Sequence, residues 1–75
     1  MDARGDVLVY PTVSSSLVFI QAAGTINIDL YNAAGQRLQS KEVKGNDYLD
    51  IAALPAGVYL VKVRENNSVF RVIKQ

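Results

Sequence analysis

The chain has 75 residues, a formal net charge of +1 and neither cysteine nor histidine. Disulfide frameworks, thiolate or imidazole metal sites and catalytic triads built on His or Cys are therefore excluded, and the small net charge gives no indication of nucleic-acid binding. Apolar residues make up 49% of the chain and charged residues 20%, which excludes intrinsic disorder and fits one small domain stabilised by packing alone.

The beginning of the chain is predicted to lie outside the domain. Met1 is followed by a polar stretch that contains glycine, so we interpret residues 1–6 as a linker or an artificial N-terminus of a piece of a longer protein. Residues 7–75 then form the domain. Arg4-Gly5-Asp6 matches the integrin-binding tripeptide, but three residues at a chain end favour chance or linker use.

Short apolar segments separated by turn residues recur along the chain, as is typical of all-β domains. The first predicted strand is 7–10; Pro11 ends it and a loop over 12–15 follows. The second is 16–21, closed by a turn at 22–24.

The strand predicted over 25–31 has the clearest alternation, with aliphatic residues between Ile26 and Leu30 facing the core and polar residues on the other face. A turn over 32–35 ends it, and Gly35 is suited there to a positive φ.

Four further strands complete the prediction. A polar strand over 38–43 suits a sheet edge, and a turn at 44–47 separates it from a short strand at 48–51. Strands over 58–64 and 68–74 form a terminal antiparallel pair, with Tyr59 on the inward face. A single sheet of about seven strands would leave one apolar face exposed to water, so the strands are expected to form two packed sheets. We therefore predict an immunoglobulin-like antiparallel β-sandwich.

One corner of the chain resembles a known structural device. Leu54-Pro55-Ala56-Gly57 leads into a strand in which Tyr59 is the second predicted residue. Immunoglobulin-like sandwiches use a tyrosine at such a corner, and its phenol bonds to backbone a few residues upstream. We therefore expect Leu54, Pro55, Gly57 and Tyr59 to have a structural role.

Residues for catalysis are missing from the sequence. The five Asp and two Glu are scattered, the serines at 14–16 have no base, and no glycine-rich phosphate loop occurs. We expect no enzyme activity, no cofactor and no metal. Asn66-Asn67-Ser68 fits a glycosylation sequon, but it equally fits a hairpin turn.

Five segments follow one another in an order that resembles a known family. They are Val9-Tyr10-Pro11, the aliphatic segment 17–20, the strand and turn 28–38, the segment 49–63 with its Leu-Pro-Ala-Gly-Val-Tyr core, and the basic, β-branched segment 70–74. Together they resemble the C-terminal sorting domain of the type IX secretion system, which is found on cargo proteins of certain Gram-negative bacteria.

The resemblance implies a non-catalytic address signal. The parent protein would fold in the periplasm, be recognised by the outer-membrane translocon and its shuttle proteins, and reach the cell surface or outer membrane or be secreted. A surface sortase would cleave just before the domain. Thr12-Val13 replace the family's Asn-Pro, so the domain could instead be retained uncleaved on a secretion or attachment component.

The same resemblance directs attention to the end of the chain. Because edge strands offer unpaired backbone groups to a partner strand, we expect translocon or sortase recognition at the last strand, through Phe70, Arg71, Val72, Ile73 and Lys74. The corner formed by Leu54, Pro55, Gly57 and Tyr59 is expected to hold this strand in place. Tyr10, Pro11 and Gly35 complete the residues of the family pattern that are expected to be structural. An exposed terminal edge could also pair isolated copies into a homodimer. The alternative function is a generic immunoglobulin-like adhesion or spacer module.

Overall fold

The computed structural model describes residues 7–75, and they form six β-strands. In chain order these are β1 (Val7–Tyr10), β2 (Val13–Ser14), β3 (Leu17–Asn32), β4 (Arg37–Asp50), β5 (Gly57–Val63) and β6 (Val69–Lys74). The all-β class is therefore confirmed. Over this range no helix is long and apolar enough to span a bilayer. The predictions for residues 1–6, including Arg4-Gly5-Asp6, lie outside the described part of the chain.

All six strands belong to one sheet. Its hydrogen-bonded order is β1-β3-β5-β6-β2. The long strand β3 has β1 and β5 along one edge and β4 along the other. The start of β3 pairs with β1 and its end pairs with β5, and the sheet rolls up until it is nearly closed. The predicted immunoglobulin-like sandwich of about seven antiparallel strands is not confirmed: there are six strands in residues 7–75, and β2 runs parallel to β6.

The turns predicted at 22–24 and 44–47 are wrong, because β3 and β4 run continuously through them. Gln21 pairs with Asn46 and the next pair joins Thr25 to Lys44, so three residues of β3 lie opposite Gly45 alone. Such a bulge bends a strand and increases its twist without ending the ladder. Gly45 has φ +72, a value that favours glycine. The long hairpin thus bends where the sequence suggested two separate turns.

The core lies inside the rolled sheet. The predicted alternation in the middle of β3 is confirmed, since its aliphatic residues are buried, and Tyr59 faces inward as expected. Every strand except β2 contributes to this core, together with the residue that follows β4. Its buried hydrophobic residues are Val7, Val9, Val18, Ile20, Ile26, Ile28, Leu30, Val43, Leu49, Ile51, Tyr59, Val61, Val63 and Val72.

The turn between β3 and β4 forms as the sequence predicted. Gly35 has φ +86 and its N–H donates to the Asn32 carbonyl at 3.0 Å. The Asn32 side-chain oxygen also accepts from the backbone N–H groups of Ala34 and Gln36, each at 3.0 Å. Any residue with a Cβ would be strained at this φ.

Candidate functional site

The terminal hairpin, residues 57–74, contains the strand that the sequence analysis identified as the recognition element. β5 and β6 pair antiparallel from Gly57 opposite Lys74 to Lys62 opposite Val69. The Val63 N–H donates to the Ser68 carbonyl at 2.8 Å, which closes the pair at the turn. The last strand is therefore an integral part of the sheet, as predicted.

The other edge of β6 is covered over only part of its length. The Ile73 N–H donates to the Thr12 carbonyl at 2.7 Å, and the Gln75 N–H donates to the Ser14 carbonyl at 3.0 Å. Because backbone groups alternate in direction along a strand, those of Val69 and Arg71 point toward the same side as those of Ile73. No strand within residues 7–75 pairs with them there. We call this stretch, residues 69–71, the open edge.

The five residues predicted to be recognised differ in accessibility. Val72 is buried in the core, and Phe70 is half-buried against it. Lys74 is half-buried, and its ammonium group donates to the Gln75 carbonyl at 3.0 Å. Arg71 is exposed and Ile73 is 36% exposed. Side-chain contacts with a partner are thus available mainly at Arg71 and Ile73.

The tyrosine corner forms as predicted. The Tyr59 hydroxyl donates to the Pro55 carbonyl at 2.6 Å, and the side chain is 5% exposed. Leu54 packs against the core, and its N–H donates to the Ile51 carbonyl at 3.0 Å. Gly57, with φ +157, begins β5. Because Tyr59 lies opposite a residue of β6, the corner holds the terminal strand as well as β5.

The Tyr59 hydrogen bond can be tested on its own. We expect Tyr59→Phe to lower the free energy of unfolding by about 1 kcal/mol, since one buried bond is lost and the rest of the ring stays in place. For a domain of this size that corresponds to a fall in Tm of roughly 4–8 °C. Thermal unfolding followed by circular dichroism measures it. Tyr48→Phe is the matched control because Tyr48 is exposed; an equal fall in both variants would contradict this role.

The remaining residues predicted to be structural lie in two places. Tyr10 is exposed, and its ring stacks on Phe19 with centroids 5.9 Å apart. Pro11, which follows a cis peptide bond, joins β1 to β2. Gly35 lies in the β3–β4 turn, and this turn begins at Asn32, which pairs with Tyr59. The structure therefore brings the Gly35 turn beside the tyrosine corner, whereas Tyr10 belongs to the outer face of β1.

An ion-pair network that the sequence analysis missed supports the hairpin from the side. Asp29 is buried, and its carboxylate accepts two bonds from the Arg64 guanidinium at 2.8 Å and one from the Ser40 hydroxyl at 2.6 Å. The Arg64 bonds, followed by that from Ser40, hold the pKa of Asp29 well below its usual range. Alternation predicted that Asp29 faces away from the core, but not that Arg64 covers it.

The turn after β5 is fastened to β3 by a second carboxylate. Glu65 accepts from the Asn27 backbone N–H at 3.0 and 3.2 Å and from its side-chain amide at 3.0 Å. The bond from the Asn27 backbone is the main cause that lowers the pKa of Glu65. The Arg64 N–H in turn donates to the Asn27 carbonyl at 3.0 Å. Both carboxylates near the hairpin thus serve to hold it in place.

Comparison with known proteins identifies one family. A family model described as a secretion system C-terminal sorting domain matches residues 8–75. The match runs from β1 to the end of β6 and includes both the tyrosine corner and the terminal hairpin. No curated protein matches the chain.

Proposed function

Since the chain belongs to the secretion system C-terminal sorting domain family, which serves type IX secretion, we propose that it is a non-catalytic sorting signal whose terminal hairpin is read by the export machinery. The family membership supports export of the parent protein to the cell surface or into the medium. The half-covered β6 strand is the observation that supports recognition at the hairpin.

Recognition combines backbone and side-chain contacts. The open edge offers unpaired N–H and C=O groups, and a partner strand can add to such an edge by main-chain hydrogen bonds. Arg71 and Ile73 supply the exposed side chains, and Lys74 adds a half-buried cation at the end. Phe70 and Val72 point toward the core and fix the strand's register. The same edge is where isolated copies would pair as a homodimer.

The proposed route takes the parent through the periplasm to the outer-membrane translocon and its shuttle proteins. A surface sortase then either cleaves before the domain or leaves it attached to a secretion or attachment component. The departure at Thr12-Val13 from the family pattern supports the second fate. These residues touch the terminal strand, since the Thr12 carbonyl accepts from Ile73 and Val13 lies opposite it. A change there alters the support of the proposed recognition strand.

A fusion tests the sorting function. We expect a periplasmic reporter that carries this chain at its C-terminus to reach the surface of a bacterium with type IX secretion. In the matched strain that lacks the translocon it should stay in the periplasm. Protease accessibility on intact cells and fractionation measure this. Equal periplasmic retention in both strains would favour the adhesion or spacer module instead.

The fate of the domain is read in the same sample. Mass spectrometry of the surface-bound reporter is expected to find peptides from residues 7–75 still joined to it. Their complete loss, with a new C-terminus upstream of β1, would contradict retention and would leave the sorting function standing. The reporter from the translocon-deficient strain provides the uncleaved control.

A further inference from the structure

A row of four residues crosses the outer face of the terminal half of the sheet. Arg71 of β6 lies opposite Leu60 of β5, Leu60 lies opposite Tyr31 of β3, and Tyr31 lies opposite Arg37 of β4. Residues paired in this way share one face, and neighbouring strands are ~4.8 Å apart. The two arginines are therefore held at the ends of a row about 14 Å long.

Apolar side chains extend this row toward the end of the chain. Val13, Ile73 and Val58 form the next row on the same face, by the pairings of β2 with β6 and of β6 with β5. These three side chains are 36% to 42% exposed, although they lie on neighbouring strands. Together with Leu60 they make an apolar strip on the outside of the sheet.

The positive charges beside this strip are in excess. The Asp29 carboxylate interacts with the charge of Arg37, but its hydrogen bonds come from Arg64 and Ser40. Arg37, Lys62 and Arg71 form no ion pair with any residue from 7 to 75. The carboxylate opposite Lys62 is Asp29, which is buried under Arg64 and bonded to it.

Two other carboxylates lie on this side of β3, both beside Asn27 and away from the row. Glu42 is opposite Asn27 and pairs with Lys44 at 3.8 Å. Glu65 is bonded to Asn27 itself. Neither carboxylate neutralises the row, so the strip and its three free cations form what we call the cationic face.

We propose that the cationic face docks an acidic protein surface that presents carboxylates on both sides of an apolar strip. Protein interfaces combine an apolar centre with arginine, and complementary charge sets the orientation of the partner. Arginine binds carboxylates in a planar, bidentate manner. The two arginines are held at a fixed separation by paired strands. They therefore suit carboxylates that are also held at a fixed separation, as on a folded protein, better than the mobile headgroups of a lipid layer. This surface shares Arg71 with the open edge, but it uses side chains on the outer face of the sheet rather than the backbone groups of β6.

A designed peptide pair tests the proposal. The probe is a peptide that contains the segment Glu-Ser-Leu-Ser-Glu. In an extended chain this segment places its two glutamates about 13 Å apart on one side, with the leucine between them. The control peptide has Gln in place of Glu. NMR titration of the 15N-labelled 75-residue chain is expected to shift the amides of Tyr31, Leu60 and Arg71 with the acidic peptide only. The affinity should fall as salt is raised from about 50 to 300 mM.

Variants test which positive charges of the cationic face bind the acidic peptide. We expect Arg37→Gln combined with Arg71→Gln to weaken binding of the acidic peptide about tenfold, that is ~1.4 kcal/mol. Lys44→Gln combined with Glu42→Gln, which removes an ion pair away from the row, should leave the affinity unchanged. If the double variant does not fold, Lys62→Glu takes its place and is expected to weaken binding similarly.

Three results would overturn the proposal. They are equal binding of the Gln peptide, amide shifts centred outside the cationic face, and absence of peptide binding while phosphatidylglycerol vesicles bind in the same assay. The last result would assign the face to a lipid surface. None of these results bears on export of the reporter fusion, so the sorting function is tested independently.

Discussion

Deleting residues 71–75 should abolish export of a fused reporter while the reporter still accumulates in the periplasm. The deletion removes most of the strand proposed for recognition, including Arg71 and Ile73, together with the partner of β2. We expect surface exposure to fall to the level of the translocon-deficient strain. Protease accessibility on intact cells measures it. Normal export of the truncated fusion would contradict recognition at the terminal strand and favour the spacer module.

The deletion also removes Val72 from the core, so a loss of export alone could reflect loss of folding. Ile73→Asp separates the two causes, because this side chain is partly exposed and Val72 stays in place. We expect it to reduce export at least about tenfold. Leu8→Asp is the control: Leu8 lies on the outer face of β1, is 58% exposed and is outside the predicted set. Circular dichroism and thermal unfolding verify that both variants fold.

Replacing Arg64 with leucine should lower the free energy of unfolding of the domain at neutral pH. Asp29 would remain buried with the Ser40 hydroxyl but without its cation, and an unpaired buried charge is costly. The loss is smaller than for a fully buried ion pair because the Arg64 side chain is 48% exposed and water can reach the carboxylate. Small domains have only about 5–15 kcal/mol in total. Urea unfolding measures the difference.

A compensating variant distinguishes charge from packing. Arg64→Leu combined with Asp29→Asn removes both charges, and Ser40 still has an oxygen to which it can donate. We expect the double variant to regain more than half of the lost stability. If it were as unstable as Arg64→Leu alone, lost packing of the arginine stem would explain the effect.

The same pair contributes to the acid sensitivity of the domain. Because the pKa of Asp29 is lowered in the folded state, the folded protein binds fewer protons than the unfolded chain. The stabilisation is present above the ordinary aspartate pKa near 3.8 and is lost as pH falls further toward the lowered value. Urea midpoints at pH 7, 4 and 2 should therefore fall less steeply for Asp29→Asn than for the unmodified chain.

The sequence was most informative where local chemistry decides structure. Alternation of side chains predicted the inward faces of β3 and β5, because a strand between core and solvent needs that period. Gly35 was predicted for a positive φ from its place in a turn. The corner tyrosine was predicted together with its backbone bond, because the preceding Leu-Pro-Ala-Gly segment and the position of Tyr59 are both local features.

Long-range pairing was what the sequence could not provide. Ala22-Ala23-Gly24 and the stretch around Gly45 are typical of turns, but here they oppose each other in a bulge, so two predicted turns became one bend. β2 has only two residues, too few for alternation, and depends on the distant Ile73 for its pairing. The burial of Asp29 depends on Arg64, 35 positions away, so no local pattern could predict it.

The parallel contact between β2 and β6 also says something about the order of assembly. Val13 and Ile73 are 60 positions apart in the chain, so their pairing closes a loop that contains nearly the whole domain. Contacts of such long sequence separation carry a large entropic cost and form after the intervening structure has paired. A receptor that binds the end of β6 beside β2 would therefore select domains whose folding is complete, and immature chains would lack the surface it requires.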